Sequence, residues 1–234
     1  MEKQNPGFLV VVGGVDGSGK STQVNLILQR LLASGRRAAL IHFPNYNSPT
    51  GEFIKKEYLG GNLGTLAEVG AYPASLLYAL DRWAAGKKIK EMLAEGFVVM
   101  LDRYVESNLA FQGGKIDEPD ARHEFYERIE NLEYEWLKIP RPDLNLILHI
   151  SAQTSAMLRG KRYQEQLLDI ADAGKPAVDI HEADLVYLKK IEQIYLEIAA
   201  RPHYKLLECE QGGQLLSIEA INEMIWGEIQ KILG

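Results

Sequence analysis

The chain has 234 residues, 46% of them hydrophobic, which is enough for one sizeable core and does not require a second domain. A formal net charge of −6, with no basic block, argues against nucleic acid or an anionic membrane as a partner and for small substrates. The single cysteine, Cys209, can form no intrachain disulfide, no apolar run approaches a membrane span, and residues 1–7 lack the features of a secretion signal, so a reducing, cytoplasmic location is expected.

The first apolar run, from Phe8, breaks into glycines, and Gly14, Val15, Asp16, Gly17, Ser18, Gly19, Lys20 and Ser21 fit the spacing G-x-x-x-x-G-K-[ST], followed by Thr22. Glycines let several backbone N–H groups point at one spot, and the helix that comes next presents its positive end there, so phosphate oxygens find donors. The pattern predicts nucleoside triphosphate binding, with Lys20 reaching the β/γ-phosphates and the Ser21 hydroxyl on Mg²⁺, Thr22 being the weaker choice for the metal.

Gln23 to Ala33 has a helical apolar face, and Arg37 to Phe43 reads as a second, buried strand that stops at Pro44 and opens into a loop with Asn45 and Tyr46. Helices are expected over Gly51 to Tyr58, over Leu66 to Ala85 with Leu76, Leu77, Leu80 and Trp83 inside, and separately over Lys87 to Ala94. Tyr78 and Arg82 lie four apart on one face. They could stack on a base and pair with its phosphate, but on spacing alone a core tyrosine beside a surface arginine is the simpler reading.

Phe97 to Leu101 is a third apolar strand, ending in Asp102, Arg103 and Tyr104. An acid at such a strand end, in a chain with a phosphate loop, is a candidate Mg²⁺ ligand, a structural ion pair being the alternative. Arg103 beside it can bind a phosphate bidentately. Ser107, Asn108 and Gln112 then offer short polar groups and amides suited to a base edge. Ala121 to Lys138 is expected to be a scaffold helix with Phe125, Ile129, Leu132 and Trp136 on one face.

Leu144 to Ile150 is a fourth strand, and Ala152 to Arg162 a helix whose end carries Arg159, Lys161 and Arg162. From Tyr163 to Ala183 the apolar pattern fades. A basic helix end before such a loop suits a closing lid, expected over about residues 159–183, that brings positive charge to a transferring phosphoryl group and excludes water; a solvated basic turn has the same pattern. His181 has no companion at metal-ligand spacing. A helix resumes through Leu185, Leu188, Ile191, Tyr195 and Ile198, Tyr204 to Glu208 is a fifth strand, and Ser217 to Leu233 a last amphipathic helix. The β/α alternation predicts a single α/β domain over residues 1–234, a five-stranded parallel sheet between helices in the three-layer P-loop NTPase fold, with a mobile lid.

Taken together, Gly14 to Thr22, Phe43 and Pro44 with Tyr46, Leu80-Asp81-Arg82, Asp102-Arg103-Tyr104 with Ser107, Asn108, Gln112 and Gly113, and the acid Glu182 resemble the thymidylate kinases of the P-loop nucleoside monophosphate kinase group. The resemblance implies transfer of the γ-phosphoryl of ATP to dTMP, giving dTDP, with Mg²⁺ and as a homodimer. It implies that Asp16 meets the sugar 3′-hydroxyl, Tyr78 stacks on thymine, Arg82 hydrogen-bonds the base and Arg103 holds the dTMP phosphate. Phe43, Pro44, Tyr46, Ser107, Asn108 and Gln112 would complete the acceptor pocket, and Phe111 would crowd the 2′ position. Some family members have an arginine after the loop acid; here Gly17 stands there, so transition-state charge is expected from Arg159 and Arg162. An arginine often found near Tyr46 is replaced by Asn45 and Tyr46 themselves, and a tyrosine often found after the lid by His181.

No general base is required, because the acceptor phosphate, with a second pKa of about 6, is already ionised near neutral pH. Catalysis would consist of alignment and charge neutralisation by Lys20, Mg²⁺, Arg103 and the two lid arginines. The alternatives are another small-molecule P-loop kinase, of deoxynucleosides or of a different monophosphate, and a catalytically silent nucleotide-binding switch.

Overall fold

The computed structural model describes residues 7–169 and 182–233, with the side chains of 161–184 outside the description. The strands β1 Phe8–Gly14, β2 Ala38–His42, β3 Val98–Asp102, β4 Leu144–His149 and β5 Tyr204–Glu208 form one five-stranded parallel sheet in the order β2-β3-β1-β4-β5. Helices α1 Lys20–Ala33 and α8 Ile218–Leu233 cover one face; α3 Ala71–Ala94, α4 Val105–Gly113 and α7 Glu182–Ala199 cover the other. Strands buried on both faces carry continuous apolar runs, and Leu9 to Val12 and Val99 to Leu101 are fully buried. Val12 lies opposite Asp102, so the phosphate loop leaves the sheet beside the end of β3.

Strand β2 departs from expectation. It is the sheet's edge, and Ala38, Leu40 and Ile41 are only half-buried while His42 is exposed. An apolar run does not tell an edge from a centre when a helix, here α1, still covers one face.

Helix α3 absorbs the two helices expected on either side of Gly86, and its face assignment is reversed. Leu76, Leu80 and Trp83 are 54%, 47% and 52% exposed, whereas Ala74, Ser75, Ala79, Asp81 and Arg82 face inward. Small residues there let neighbouring segments come close, and a Cβ on Gly86 would sit 4.0 Å from both Ile139 and Pro140. Hydrophobicity alone therefore selected the wrong side.

The expected scaffold helix is α5 Pro119–Glu130 continued by a π-helical stretch, Asn131–Trp136. The wider π turn shifts the helical phase of the residues after it. Phe125 and Ile129 are buried as expected, but Trp136 is 76% exposed and Glu133 points inward instead. A second π stretch, Ile54–Tyr58, extends the short helix α2 Pro49–Phe53. Helix α6, Ala152–Asp169, runs past the expected end at Arg162, because residues 163–169 contain no glycine or proline to stop it. Residues 170–181 lie outside the described residues, and with them nearly half of the lid expected over 159–183. The same holds for the expectations on the side chains of Arg162, His181 and Glu182.

Glu133 and Arg82 form a buried bidentate pair, at 2.5 Å from Nε to Oε2 and 2.6 Å from Nη2 to Oε1, with the side chains 0% and 3% exposed. Arg82 Nη1 also donates to the Tyr104 carbonyl at 3.3 Å, and Asn108 Nδ2 to Glu133 Oε1 at 3.1 Å, so α3, α4 and the π stretch are tied at one point. Removing one partner of such a pair leaves a buried charge uncompensated. Glu133→Ala is expected to lower unfolding stability by about 3–5 kcal/mol in urea titrations. A loss under about 1 kcal/mol would show that water or another group takes over from the carboxylate.

Candidate active site

The phosphate loop curls around its own lysine. Lys20 is buried, and its Nζ donates to Gly14 O at 3.0 Å, Val15 O at 2.6 Å and Ser18 Oγ at 3.3 Å. Burial first, and then the like charge of Arg103, bring its amine down to about 7, against the partial support of Asp16, Asp102 and Glu106.

Gly17 has φ of +86°, and a Cβ there would meet Ser155 O at 3.0 Å and Arg159 Cγ at 3.2 Å. Both the backbone conformation and the lack of space call for glycine. The first turns of α6 thereby lie across the loop, with the Ser155 hydroxyl donating to Asp16 O and the stem of Arg159 passing over Gly17. An arginine at position 17 would occupy the space that Arg159 uses.

Asp16 and Arg103 form an ion pair above the loop. Burial pushes the Asp16 carboxyl up, but Arg103, Lys20 and Arg159 together hold it below the usual range. Arg103 itself has φ of +69°, its Nη1 donates to Ser107 Oγ at 3.3 Å, and its guanidinium stands 5.2 Å from the Phe111 ring centroid. Three cationic side chains thus surround a single carboxylate.

Ser21 and Asp102, the expected metal pair, are adjacent, with Ser21 Oγ donating to Asp102 Oδ2 at 2.7 Å. A hydroxyl and a carboxylate oxygen are hard donors of the kind Mg²⁺ takes alongside phosphate oxygens, so the donor set fits. The structure adds His42, whose Nδ1 is 3.1 Å from the same Asp102 oxygen.

A cavity of about 240 Å³ opens between these groups, lined by Asp16, Gly17, Gly19, Lys20, Ser21, His42, Phe43, Pro44, Tyr46, Asp102 and Arg103. The loop after β2 is fixed by the buried Asp81, which accepts from Asn45 N–H at 2.8 Å, Ser48 Oγ at 2.9 Å and Thr50 Oγ1 at 2.6 Å. No arginine stands at 45 or 46, but Lys55 Nζ lies 5.9 Å from the Tyr46 ring centroid, so a cation is nearby.

Tyr78 is half-buried rather than a core residue, and Tyr58 meets it edge-on, with ring centroids 6.0 Å apart. Lys115 Nζ donates to the Tyr58 hydroxyl at 2.9 Å, behind Gln112. Arg82, implied as a base contact, is found with protein partners on its fork. It is buried, its fork is given to Glu133, and it acts as a tie between helices because a guanidinium on the inner face of α3 needs a carboxylate partner. Asn108 is buried as well, with Nδ2 donating to Ser75 O and Glu133 and Oδ1 without a partner among the described residues. The two acceptors fix which end of the amide is which.

The matched residues continue beyond this site. The family model for thymidylate kinase matches residues 12–221. The thymidylate kinase of Mycobacterium tuberculosis is 33% identical over 194 residues, covering 83% of this chain and 86% of that one. The chain belongs to the thymidylate kinase family. The human thymidylate kinase is also 33% identical, over 155 residues and 64% of each chain. The solved structure of thymidylate kinase from Candida albicans superposes with a TM-score of 0.64 at 25% identity, covering 97% of this chain and 92% of that one. Thymidylate kinases phosphorylate dTMP, and this family member is an enzyme of that kind.

Asp81, Glu106, Glu133 and Tyr195 escaped the sequence reading as parts of this thymidylate kinase site. Asp81 stood inside a matched segment without a role; the others carry no spacing that separates them from surface acids or core tyrosines.

The depressed Lys20 amine predicts a measurable proton balance. At pH 8 an amine of pKa about 7 is roughly nine-tenths neutral, and polyphosphate favours its charged form, so binding takes up close to one proton. Uptake falls toward zero at about pH 6, where the amine is already protonated. Calorimetry of ATP binding in buffers of different ionisation enthalpy measures it, and Lys20→Met should abolish the pH-dependent part. Equal uptake by both proteins would mean that Lys20 is charged throughout.

Proposed function

We propose that the chain transfers the γ-phosphoryl group of ATP to dTMP, giving dTDP and ADP in dTTP synthesis, with Mg²⁺ and as a homodimer. The observation that carries this reading is the convergence of Lys20, Arg103 and Arg159 on Asp16, from the loop, the end of β3 and α6. Two polyanions can approach such a cluster from opposite sides, which a nucleotide switch without an acceptor does not require.

In this reading Gly14 to Thr22 cradle the donor phosphates, with Lys20 at the β/γ end. Ser21 and Asp102 would hold Mg²⁺, which supplies charge neutralisation on the phosphate oxygens. Arg103 takes the acceptor phosphate, and Asp16, freed from it in part, accepts from the sugar 3′-hydroxyl. Tyr78, braced by Tyr58, stacks on the base, and Phe111 crowds the sugar. Arg159 supplies charge to the moving phosphoryl; for Arg162 the same role rests on the resemblance alone.

Asn108 adds base selectivity. Its unpartnered Oδ1 is an acceptor, matching the N3–H of thymine, whereas N3 of cytosine is itself an acceptor. Two acceptors left facing each other are costly, so cytidine monophosphate is disfavoured.

The homodimer is supported by the outer face of α3, where Tyr72, Leu76, Leu80 and Trp83 recur at helical spacing and are all exposed. A stripe of this kind on a helix otherwise built into the core suits a second copy packed against it. A cytoplasmic location belongs to the same proposal and rests on the lone, buried Cys209 thiol.

ADP release from Mg·ATP, offered dTMP, dUMP, CMP, AMP, thymidine or no acceptor, should show turnover with dTMP and little with CMP, AMP or thymidine. Arg103→Ala should lower kcat/KM for dTMP by about 100-fold or more with ATP affinity nearly unchanged. Acceptor-independent hydrolysis, or loss of ATP binding in that variant, would overturn the assignment. For the dimer, Leu80→Asp should halve the mass seen by light scattering; an unchanged mass moves the interface away from α3.

A further inference from the structure

We propose that Glu106 is the positioning residue of the acceptor clamp, fixing the Arg103 guanidinium through Ser107; the inference rests on Arg103 holding the acceptor phosphate.

Glu106 lies on the first turn of α4 and is 1% exposed. Its carboxyl sits directly behind the phosphate loop, where a Cβ on Gly13 would come within 2.7 Å of its Cγ and Oε1. Space at the end of β1 is thus given to a carboxyl group. Oε1 accepts from Tyr104 N–H at 3.0 Å and from the Ser107 hydroxyl at 3.0 Å, while Oε2 has no partner among the described residues.

Ser107 decides what this does. Its Oγ also receives Arg103 Nη1 at 3.3 Å and lies 3.1 Å from the Tyr195 hydroxyl. A hydroxyl has one proton and two lone pairs. Once its proton goes to Glu106, both lone pairs are open, one to the arginine and the other to the Tyr195 O–H. The acid therefore sets the direction of every hydrogen bond in the group. Without it the Ser107 proton is free to turn to Tyr195, and the lone pairs of Oγ, though still two, are no longer held toward Arg103 opposite its Asp16 contact.

The arrangement does not depend on the charge of Glu106. Burial raises its pKa, against the backbone N–H of Tyr104, the Ser107 bond and Arg82, and a proton on Oε2 would leave Oε1 the same acceptor. Glutamine at this position keeps that acceptor, and leucine removes it. Leucine also leaves the buried Tyr104 N–H without its acceptor, so it should lower the melting temperature where glutamine does not, and the clamp is read from KM for dTMP against KM for ATP. The clamp can thus be separated from a packing role.

The test is steady-state kinetics with both substrates on the full chain, together with melting temperature, for Glu106→Leu, Glu106→Gln, Ser107→Ala and the Leu/Ala double variant, with Arg103→Ala as reference. Glu106→Leu should raise KM for dTMP roughly tenfold, the worth of about one well-oriented hydrogen bond to a charged group, with KM for ATP within about twofold and Tm lowered by the unpaired Tyr104 N–H. Glu106→Gln should stay within about threefold of the parent, and the double variant should match Glu106→Leu rather than multiply the two single effects. An unchanged KM for dTMP in Glu106→Leu, alongside a raised one in Arg103→Ala, overturns this inference alone. A glutamine variant as impaired as the leucine variant, or equal rises for both substrates, does the same. If Arg103→Ala leaves KM for dTMP unchanged, the acceptor reading fails first and this inference with it.

Discussion

Positive charge that must be kept partly out of water is the constraint on which this structure turns. Lys20 and Arg103 stand beyond the carboxyl ends of β1 and β3, Arg82 reaches the Tyr104 carbonyl from α3, and each can remain there only with a partner. Arg82 receives Glu133, Arg103 receives Asp16, and Lys20 receives the carbonyls of its own loop. The pairs differ in kind. The Arg82 pair is closed and structural, with both ends of the glutamate occupied. The Arg103 pair lies at the cavity mouth and can be exchanged for a ligand anion. Fixed charge is thus placed behind exchangeable charge, a preorganised environment for a phosphoryl group.

Glycine makes this crowding possible at two points. Gly13 leaves room for the Glu106 carboxyl behind the loop, and Gly17 lets α6 lie across its front. Consequently the loop is held between a carboxyl on one side and the stem of Arg159 on the other. A chain with no arginine in the loop thus has the stem of one, from a neighbouring helix, directly over Gly17.

The sheet was legible in the sequence because the central parallel strands, covered on both faces, leave continuous apolar runs; all five strands lie where expected, although the edge strand β2 is only half-buried. The phosphate loop was legible because its chemistry fixes residue type and spacing together, and the nearness of Asp102 to Ser21 because an acid at the end of an apolar strand comes out beside that loop. The inner face of α3 was not. Close packing and function put alanine, serine, aspartate and arginine there, and leucine and tryptophan outside, against the usual pattern. Trp136 was misplaced because a π turn changes the helical phase without a marker residue, and the same turn hid Glu133. The partner of Arg82 was hidden on a related point, since which carboxylate a buried arginine meets is a tertiary fact. Glu106 could not be told from a surface glutamate by any local signal.

The donor and acceptor halves of the site are also joined by electrostatics alone. After burial, the largest influence depressing the Lys20 amine is Arg103, which the proposed function places on the acceptor side. An anion that settles on Arg103 offsets that like charge and so favours protonated Lys20, the form that binds polyphosphate. By linkage, polyphosphate on Lys20 favours an anion on Arg103 to the same extent. Asp16, between the two, is the carboxylate that keeps both cations in place until phosphate oxygens take over. No moving part is needed for this coupling. It arises from placing two cations around one acid at the ends of adjacent strands, where a low dielectric makes each feel the other.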